Sequence, residues 1–261
     1  MHIVVCTKEV PDTAAKVEVN AEGVVTWGDS PLVINPWDEY AVEEGLLLKE
    51  KHGGTCSVVA MGGESTKEAL KHAIAMGCDD ATLITDPVLH GADTLLTSHV
   101  LAKAIEKMGD ANLVLLGKQA IDGDTGQTAV QVGRRLGWPA LTYVFKIIDI
   151  NFDAGTIKVE RLLEEGRQVC ESKLPAVVSV VKDINEPRYP SFMGIRKASK
   201  AEIPSWSADD LGLDAGVTSK VTWPELYALP PRTGECEIIE AESMAQAAAI
   251  LADKLIEEKV I

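Results

Sequence analysis

The chain has 261 residues, 46% apolar and 25% charged, which is enough to bury a sizeable core and ordinary for a globular protein. A formal charge of −15 argues against nucleic acid or an anionic membrane as the main partner, since both would repel it. No apolar run reaches the roughly 18 residues of a span, and Ile3-Val4-Val5 reads as a strand without an export signal before it, so a cytoplasmic protein is expected.

Residues 1–7 read as a first strand, which Pro11-Asp12-Thr13 breaks. Val17-Glu18-Val19 and Val24-Val25-Thr26-Trp27, joined by Asn20-Ala21-Glu22-Gly23, carry a hairpin signal. After Asn35-Pro36-Trp37-Asp38, the residues Tyr40, Ala41, Val42, Gly45, Leu46, Leu47 and Leu48 recur at helical spacing until Gly53-Gly54. Strand and helix then alternate: strand Cys56 to Met61, helix Thr66 to Met76, strand Ala81 to Thr85, helix Asp93 to Met108, strand Asn112 to Leu116. Short apolar strands alternating with helices predict an α/β fold with a parallel sheet covered on both faces. Ligands on such sheets sit at the carboxyl ends of the strands, which selects the turns after Cys6, after Met61 and at Gly117.

The last of these turns is Gly117-Lys118-Gln119-Ala120-Ile121-Asp122-Gly123-Asp124-Thr125-Gly126-Gln127-Thr128. It leads into a helix pattern ending near Leu136, so free N–H groups of a first helical turn face its contents, and Gly123 and Gly126 allow close approach. A phosphate suits that place. The stretch is neither a P-loop nor an EF-hand, because Lys118 directly follows the first glycine and the sixth and twelfth calcium-loop positions hold Gln127 and Gly133. The competing reading is a polar turn whose Asp and Thr side chains only cap the helix.

Beyond Gly137-Trp138-Pro139, four strands are expected as a mixed extension: Leu141 to Ile150, Thr156 to Leu162, Gln168 to Ser172 and Ala176 to Val181. Past Asp183 the pattern turns irregular as far as Gly234, which predicts an arm lying on another body. A final helix, Ser243 to Glu258, has Met244, Ala247, Ala248, Leu251, Leu255 and Ile256 on one face. Cys6, Cys56, Cys78, Cys170 and Cys236 form no CxxC, and the histidines no HExxH, so packed reduced thiols and no metal site are expected.

Four stretches carry a family resemblance: Asn35-Pro36-Trp37-Asp38-Glu39 with Ala41-Val42-Glu43-Glu44, then Gly117 to Thr128, Val159 to Ser179, and Asn185 to Lys197. Over essentially its whole length the chain resembles the small (beta) subunit of electron-transfer flavoproteins. The third stretch resembles the family signature, departing from it at Cys170. The resemblance implies a Rossmann-like nucleotide-binding domain over residues 1–184. Residues 185–261 would hold a partner-recognition loop, an irregular arm and a helix packing on a large (alpha) subunit. It implies an adenine nucleotide held by Cys6, Asn35, Pro36, Trp37, Asp38, Met61 and the residues Gly117 to Thr128, with no catalytic side chain.

In one branch of that family the nucleotide is AMP; in electron-bifurcating members it is a second FAD reduced by NADH. Gly123-Asp124-Thr125-Gly126 and Val10-Pro11-Asp12-Thr13 resemble the bifurcating branch, whereas Asn185-Glu186-Pro187-Arg188-Tyr189 resembles the AMP branch as well. FAD is the expectation, with AMP as the alternative. Tyr189, Phe192, Ile195 and Arg196 are expected to meet an acyl-CoA dehydrogenase or another flavin dehydrogenase, with ferredoxin or flavodoxin among further partners. A non-redox sensor of adenine nucleotides is the reading from a different class.

Overall fold

A computed structural model describes every residue except 21, 215–217, 229, 231–233 and 235, in two units, Met1–Leu226 and Tyr227–Ile261. The expected hairpin turn includes position 21, and the expected irregular stretch includes the later omitted positions. Those parts of both expectations lie outside the described residues.

The first unit is built on β1 (His2–Thr7), whose side chains alternate between two cores. Ile3 and Val5 face α1 (Pro36–His52) and α2 (Thr66–Met76), packing with Ala41, Val42, Leu46, Ala69 and Leu70. Val4 and Cys6 face α3 (Thr94–Met108) and α4 (Thr128–Leu136), packing with Leu96, Val100, Ala129 and Val132. A strand buried on both faces needs apolar residues at every position, which is why its sequence shows no polar alternation.

Beside β1 lie β6 (Thr55–Met61) and β8 (Leu113–Gly117), both parallel to it. The chain runs outward through β6 to β7 (Asp80–Ile84), then crosses back over the sheet to β8. Strand order therefore reverses at β1, and a crevice opens between the loops that leave the carboxyl ends of β1 and β8. Three further strands continue past β12 (Ala176–Val180): β9 (Ala140–Asn151) parallel to it, then β10 (Thr156–Leu163) and β11 (Gly166–Lys173), each antiparallel to its neighbour.

The expected hairpin forms, as β3 (Glu18–Val19) and β4 (Val25–Thr26). The strands that flank it, β2 (Glu9–Pro11) and β5 (Leu32–Ile34), pair with each other and escaped the sequence pattern. Two or three residues are too few for a period to register. The same reason corrects the expectation for the irregular stretch. Its β13 (Ser205–Trp206) extends the protein's own sheet beside β7, and Ala208, Leu211 and Leu213 are buried in the core under α3.

The segment before β13 is pinned to α1. Arg188 forms a forked pair with Glu43 at 2.8 and 2.9 Å and reaches Glu50 at 2.6 Å, while Asn185 Nδ2 donates to Tyr40 O and Glu44 Oε2. Glu43 and Glu50 push the guanidinium of Arg188 further up from its usual range. α5 (Phe192–Ala198) then packs on α2 so closely that a Cβ on Gly194 would lie 2.0 Å from Ala75 O. This packing turns Tyr189, Phe192 and Met193 outward, at 94%, 93% and 83% exposed.

In the second unit, Ser243 caps α6 (Met244–Glu257) by accepting from Gln246 N. None of the residues of α6 is buried, and Met244, Leu251 and Ile256 stand exposed on its apolar side.

Replacing Arg188 by Ala strands a carboxylate that is 4% exposed. Because the guanidinium is itself partly solvated, we expect Arg188→Ala to cost about 2–3 kcal/mol, the lower end for breaking a buried pair. Urea unfolding of the variant, against Arg188→Lys as a charge-conserving control, measures it.

Candidate functional site

Three loops meet at the carboxyl ends of β1, β6 and β8. The turn after β1 joins the other two: Lys8 Nζ donates to Asp122 Oδ2 at 2.5 Å, and Glu9 Oε2 accepts from Ser65 Oγ at 2.7 Å and Thr66 Oγ1 at 3.2 Å. The hydroxyls of the loop before α2 are thus occupied by the protein's own carboxylate, although Ser65 makes no capping side-chain hydrogen bond. At α4, Gln127 occupies the N-cap without a side-chain hydrogen bond, so among the described residues no side chain answers its first N–H groups.

The start of α1 holds the open loop in shape. Asn35, 1% exposed, donates from Nδ2 to Gln119 O at 2.9 Å and accepts from Ile121 N at 3.2 Å. Asp38, 6% exposed, accepts from Gly117 N at 3.0 Å and from Lys8 N at 2.9 Å. Gly117 cannot carry a side chain here: its Cβ would lie 2.6 Å from Asp38 Oδ1 and 2.7 Å from Trp37 Cβ. Burial raises the Asp38 carboxyl to about 7, against the opposing pull of Asn35 and the two backbone N–H groups.

Asp122 and Asp124 are both engaged by neighbouring side chains. Asp122 is taken by Lys8, and Asp124, at φ +49°, accepts from Gln119 Nε2 at 2.5 Å. Neither caps α4, which removes the reading of the loop as a self-capped turn. Gly123, Asp124 and Thr125 are exposed, Ala120 N-terminal to them accepts the turn bond from Asp124 N, and Gly126 takes φ +61°. A Cβ on Gly123 would meet nothing nearer than 4.0 Å, so there is open space over the loop.

Other expected residues add no side-chain hydrogen bond to this network. Cys6 is packed in the core with its thiol pushed up by burial, and Met61 is partly buried at the end of β6, so their side chains offer no polar contact. Pro36 and Trp37 form the first turn of α1. Gln127 and Thr128 begin α4, where Gln127 Oε1 accepts from Thr94 Oγ1 at 3.3 Å.

Sequence reasoning missed Thr7, Lys8, Glu9 and Tyr143. Thr7 Oγ1 is buried at the end of β1 with no hydrogen-bond partner among the described residues. The first three follow directly on a strand whose end had been singled out, a signal of position alone. Tyr143 gives no such signal. It takes φ +58° inside β9, a strained conformation for a bulky residue, and with Trp37 it brackets Lys118, whose Nζ lies 5.3 Å and 5.4 Å from the two ring centroids. Lys118 also fastens the loop through its N–H to Val180 O at 2.8 Å.

An uncapped helix start beneath open space over a glycine turn suits a phosphate or other anion. Among the described residues no cluster of three or more His, Cys, Asp or Glu could hold a metal, and no helix is long and apolar enough to cross a membrane. The arrangement defines a doubly wound α/β protein with a loop-lined crevice at the reversal of strand order.

The electron transfer flavoprotein domain matches residues 23–211. The chain is 39% identical to the electron transfer flavoprotein subunit beta of Clostridium acetobutylicum over 264 residues, covering all of both chains. It is 38% identical over 266 residues to the caffeyl-CoA reductase-Etf complex subunit CarD of Acetobacterium woodii, again covering all of both. To protein FixA of Azorhizobium caulinodans it is 36% identical over 263 residues, covering 97% of this chain and 93% of that one. The chain belongs to the electron transfer flavoprotein family, as a beta subunit.

The Asp38 carboxyl binds its proton more tightly folded, at about 7, than at its ordinary value of 3.8, so its contribution falls as pH rises through that window and is constant above it. We expect the stability of the parent relative to Asp38→Asn to drop by about 2–3 kcal/mol between pH 5 and pH 8. Denaturant titrations of both proteins at the two pH values measure the difference, and a difference independent of pH contradicts it.

Proposed function

We propose that this chain pairs with an electron-transfer flavoprotein alpha subunit in the cytoplasm and binds FAD across the carboxyl ends of β1 and β8. Electrons pass from NADH or a flavin dehydrogenase to acceptors such as ferredoxin or flavodoxin. The observation that carries the reading is the uncapped start of α4 beneath an open glycine loop, held in place by Asn35 and Asp38. When bound, the flavin supplies the chemistry: it accepts a hydride and gives up electrons singly. The chain's own residues bind and orient. First-turn N–H groups of α4 would hold the phosphates, and Lys118 would supply a cation from the same loop, while Asp122 and Asp124 are kept occupied by Lys8 and Gln119.

AMP at the same place, with the only FAD in the alpha subunit, is the competing reading, because the same helix start suits either phosphate group. The small residues Gly123, Thr125 and Gly126 favour FAD, since they leave a way out for a diphosphate. Membership of an electron-transfer family weighs against a non-redox nucleotide sensor. Tyr189, Phe192, Ile195 and Arg196, all exposed, are the proposed contacts to a dehydrogenase. A relative named for a caffeyl-CoA reductase complex supports an enzyme of the acyl-CoA dehydrogenase kind as that partner.

Acid-released nucleotides from the purified heterodimer, separated by chromatography, test the cofactor. Two FAD, no AMP and bleaching by NADH are expected; one AMP per dimer without bleaching overturns the FAD reading. In the Thr125→Glu variant a carboxylate competes with phosphate for the helix start, and the nucleotide of this subunit is expected to be lost. Nucleotide retained at full stoichiometry in that variant moves the site elsewhere.

Phe192 is 93% exposed, so it does not serve its own subunit's core. We expect Phe192→Ala to weaken dehydrogenase coupling by about 2–4 kcal/mol, as an interface aromatic does, with nucleotide content unchanged. Unaltered electron transfer between the two proteins excludes this loop from the contact.

A further inference from the structure

Two buried thiols take no part in the nucleotide site. Cys56 opens the buried run of β6, and Cys78 lies between the end of α2 and the start of β7. Both are 0% exposed, and their Sγ atoms are 4.0 Å apart. We propose that Cys56 and Cys78 are a modification site, a thiol pair that closes to an intramolecular disulfide on reaction with a low-molecular-weight disulfide. The inference is independent of which nucleotide the chain holds and of which enzyme it meets.

The surroundings hold the two sulfurs in register. Asp79 Oδ2 accepts from Cys56 N at 2.8 Å, and Asp79 N donates to Cys56 O at 2.9 Å. Lys49 Nζ, from the last turn of α1, donates to Asp79 Oδ1 at 2.6 Å, and Lys197 Nζ, from α5, donates to Cys78 O at 2.9 Å. One carboxylate therefore ties the strand of one cysteine to the turn of the other. An S–S bond is about 2.05 Å long, so the sulfurs must close by about 2 Å, a movement that side-chain rotation can supply. The bare backbone of α1 at Gly45 accommodates the Cys56 sulfur, since a Cβ there would come within 3.0 Å of Cys56 Sγ.

Access comes from the rim of the sheet. Thr55 is exposed and Asp79 half-buried, so each sulfur lies one residue inside a solvent-reaching position, and loosening of the 77–79 turn uncovers both. The bond to Cys56 and burial hold the Cys78 thiol well above its usual range, so the closed protein reacts slowly and the reaction follows opening of the turn. In the opened form one thiolate attacks the small disulfide, releasing one small thiol and leaving a mixed disulfide on the protein. The second cysteine sulfur then displaces the second small thiol. Two S–H bonds and one external S–S bond are exchanged for two small thiols and one protein S–S bond, and the small disulfide takes up the two electrons.

The test uses the full chain under native conditions with oxidised glutathione, quenched with an alkylating agent and mapped with trypsin. We expect a product lighter by two hydrogens that links the peptides His52–Lys67 and His72–Lys103, is released by reductant, and requires more denaturant to unfold than the reduced chain. Cys78→Ser is expected to give no linked product. Alkylation of both Cys56 and Cys78 after denaturation, with glutathione found only on other cysteines, overturns the proposal. So does a link that forms only in denaturant.

Discussion

The arrangement depends on one buried carboxylate. Asp38 sits where strand order reverses and accepts from the backbone of both loops that leave the central strands, Lys8 N after β1 and Gly117 N after β8. A carboxylate without a compensating cation in contact is costly to bury, and the raised Asp38 value expresses that cost. It is tolerated because two converging N–H groups would otherwise be left unpaired at the same point. The glycine at 117 belongs to the same constraint, since any side chain there would occupy the volume of Asp38 and Trp37.

From that point α1 acts as the frame of the molecule. Its first turn shapes the loop from Gly117 to Thr128 through Asn35 and Asp38. Its middle carries Glu43 and Glu44, which hold Arg188 and Asn185, and its last turn adds Glu50 to Arg188 and places Lys49 on the 77–79 turn. Because Glu43 and Glu44 are almost fully buried, their partners are fixed in position as well as in charge. The exposed Tyr189 and Phe192 therefore stand on a segment anchored to the same helix that sets the loop.

Charge management follows a consistent rule around the site. The chain is strongly acidic overall, yet three carboxylates of these loops are each engaged: Glu9 by Ser65 and Thr66, Asp122 by Lys8, Asp124 by Gln119. What remains unanswered is the positive end of α4, with the Lys118 ammonium held between Trp37 and Tyr143. An anion approaching this place meets donors and a cation first, although the surface as a whole repels it.

The sequence by itself determined the alternation of strands and helices, the parallel sheet, the three turns at strand ends and the family. Each of these is written in neighbouring residues: continuous apolar runs, helical periods and one glycine-rich turn, all of which register within a few residues of one another. Only the tertiary structure decided that the hydroxyls of the turn before α2 are occupied, because Glu9 and Ser65 meet from separate elements. It also decided that Asn35 and Asp38 serve the loop backbone, that β13 joins the protein's own sheet, and that Tyr143 turns against Lys118. These depend on partners up to about a hundred residues apart, and on strands too short to show a period, so no local pattern carries them.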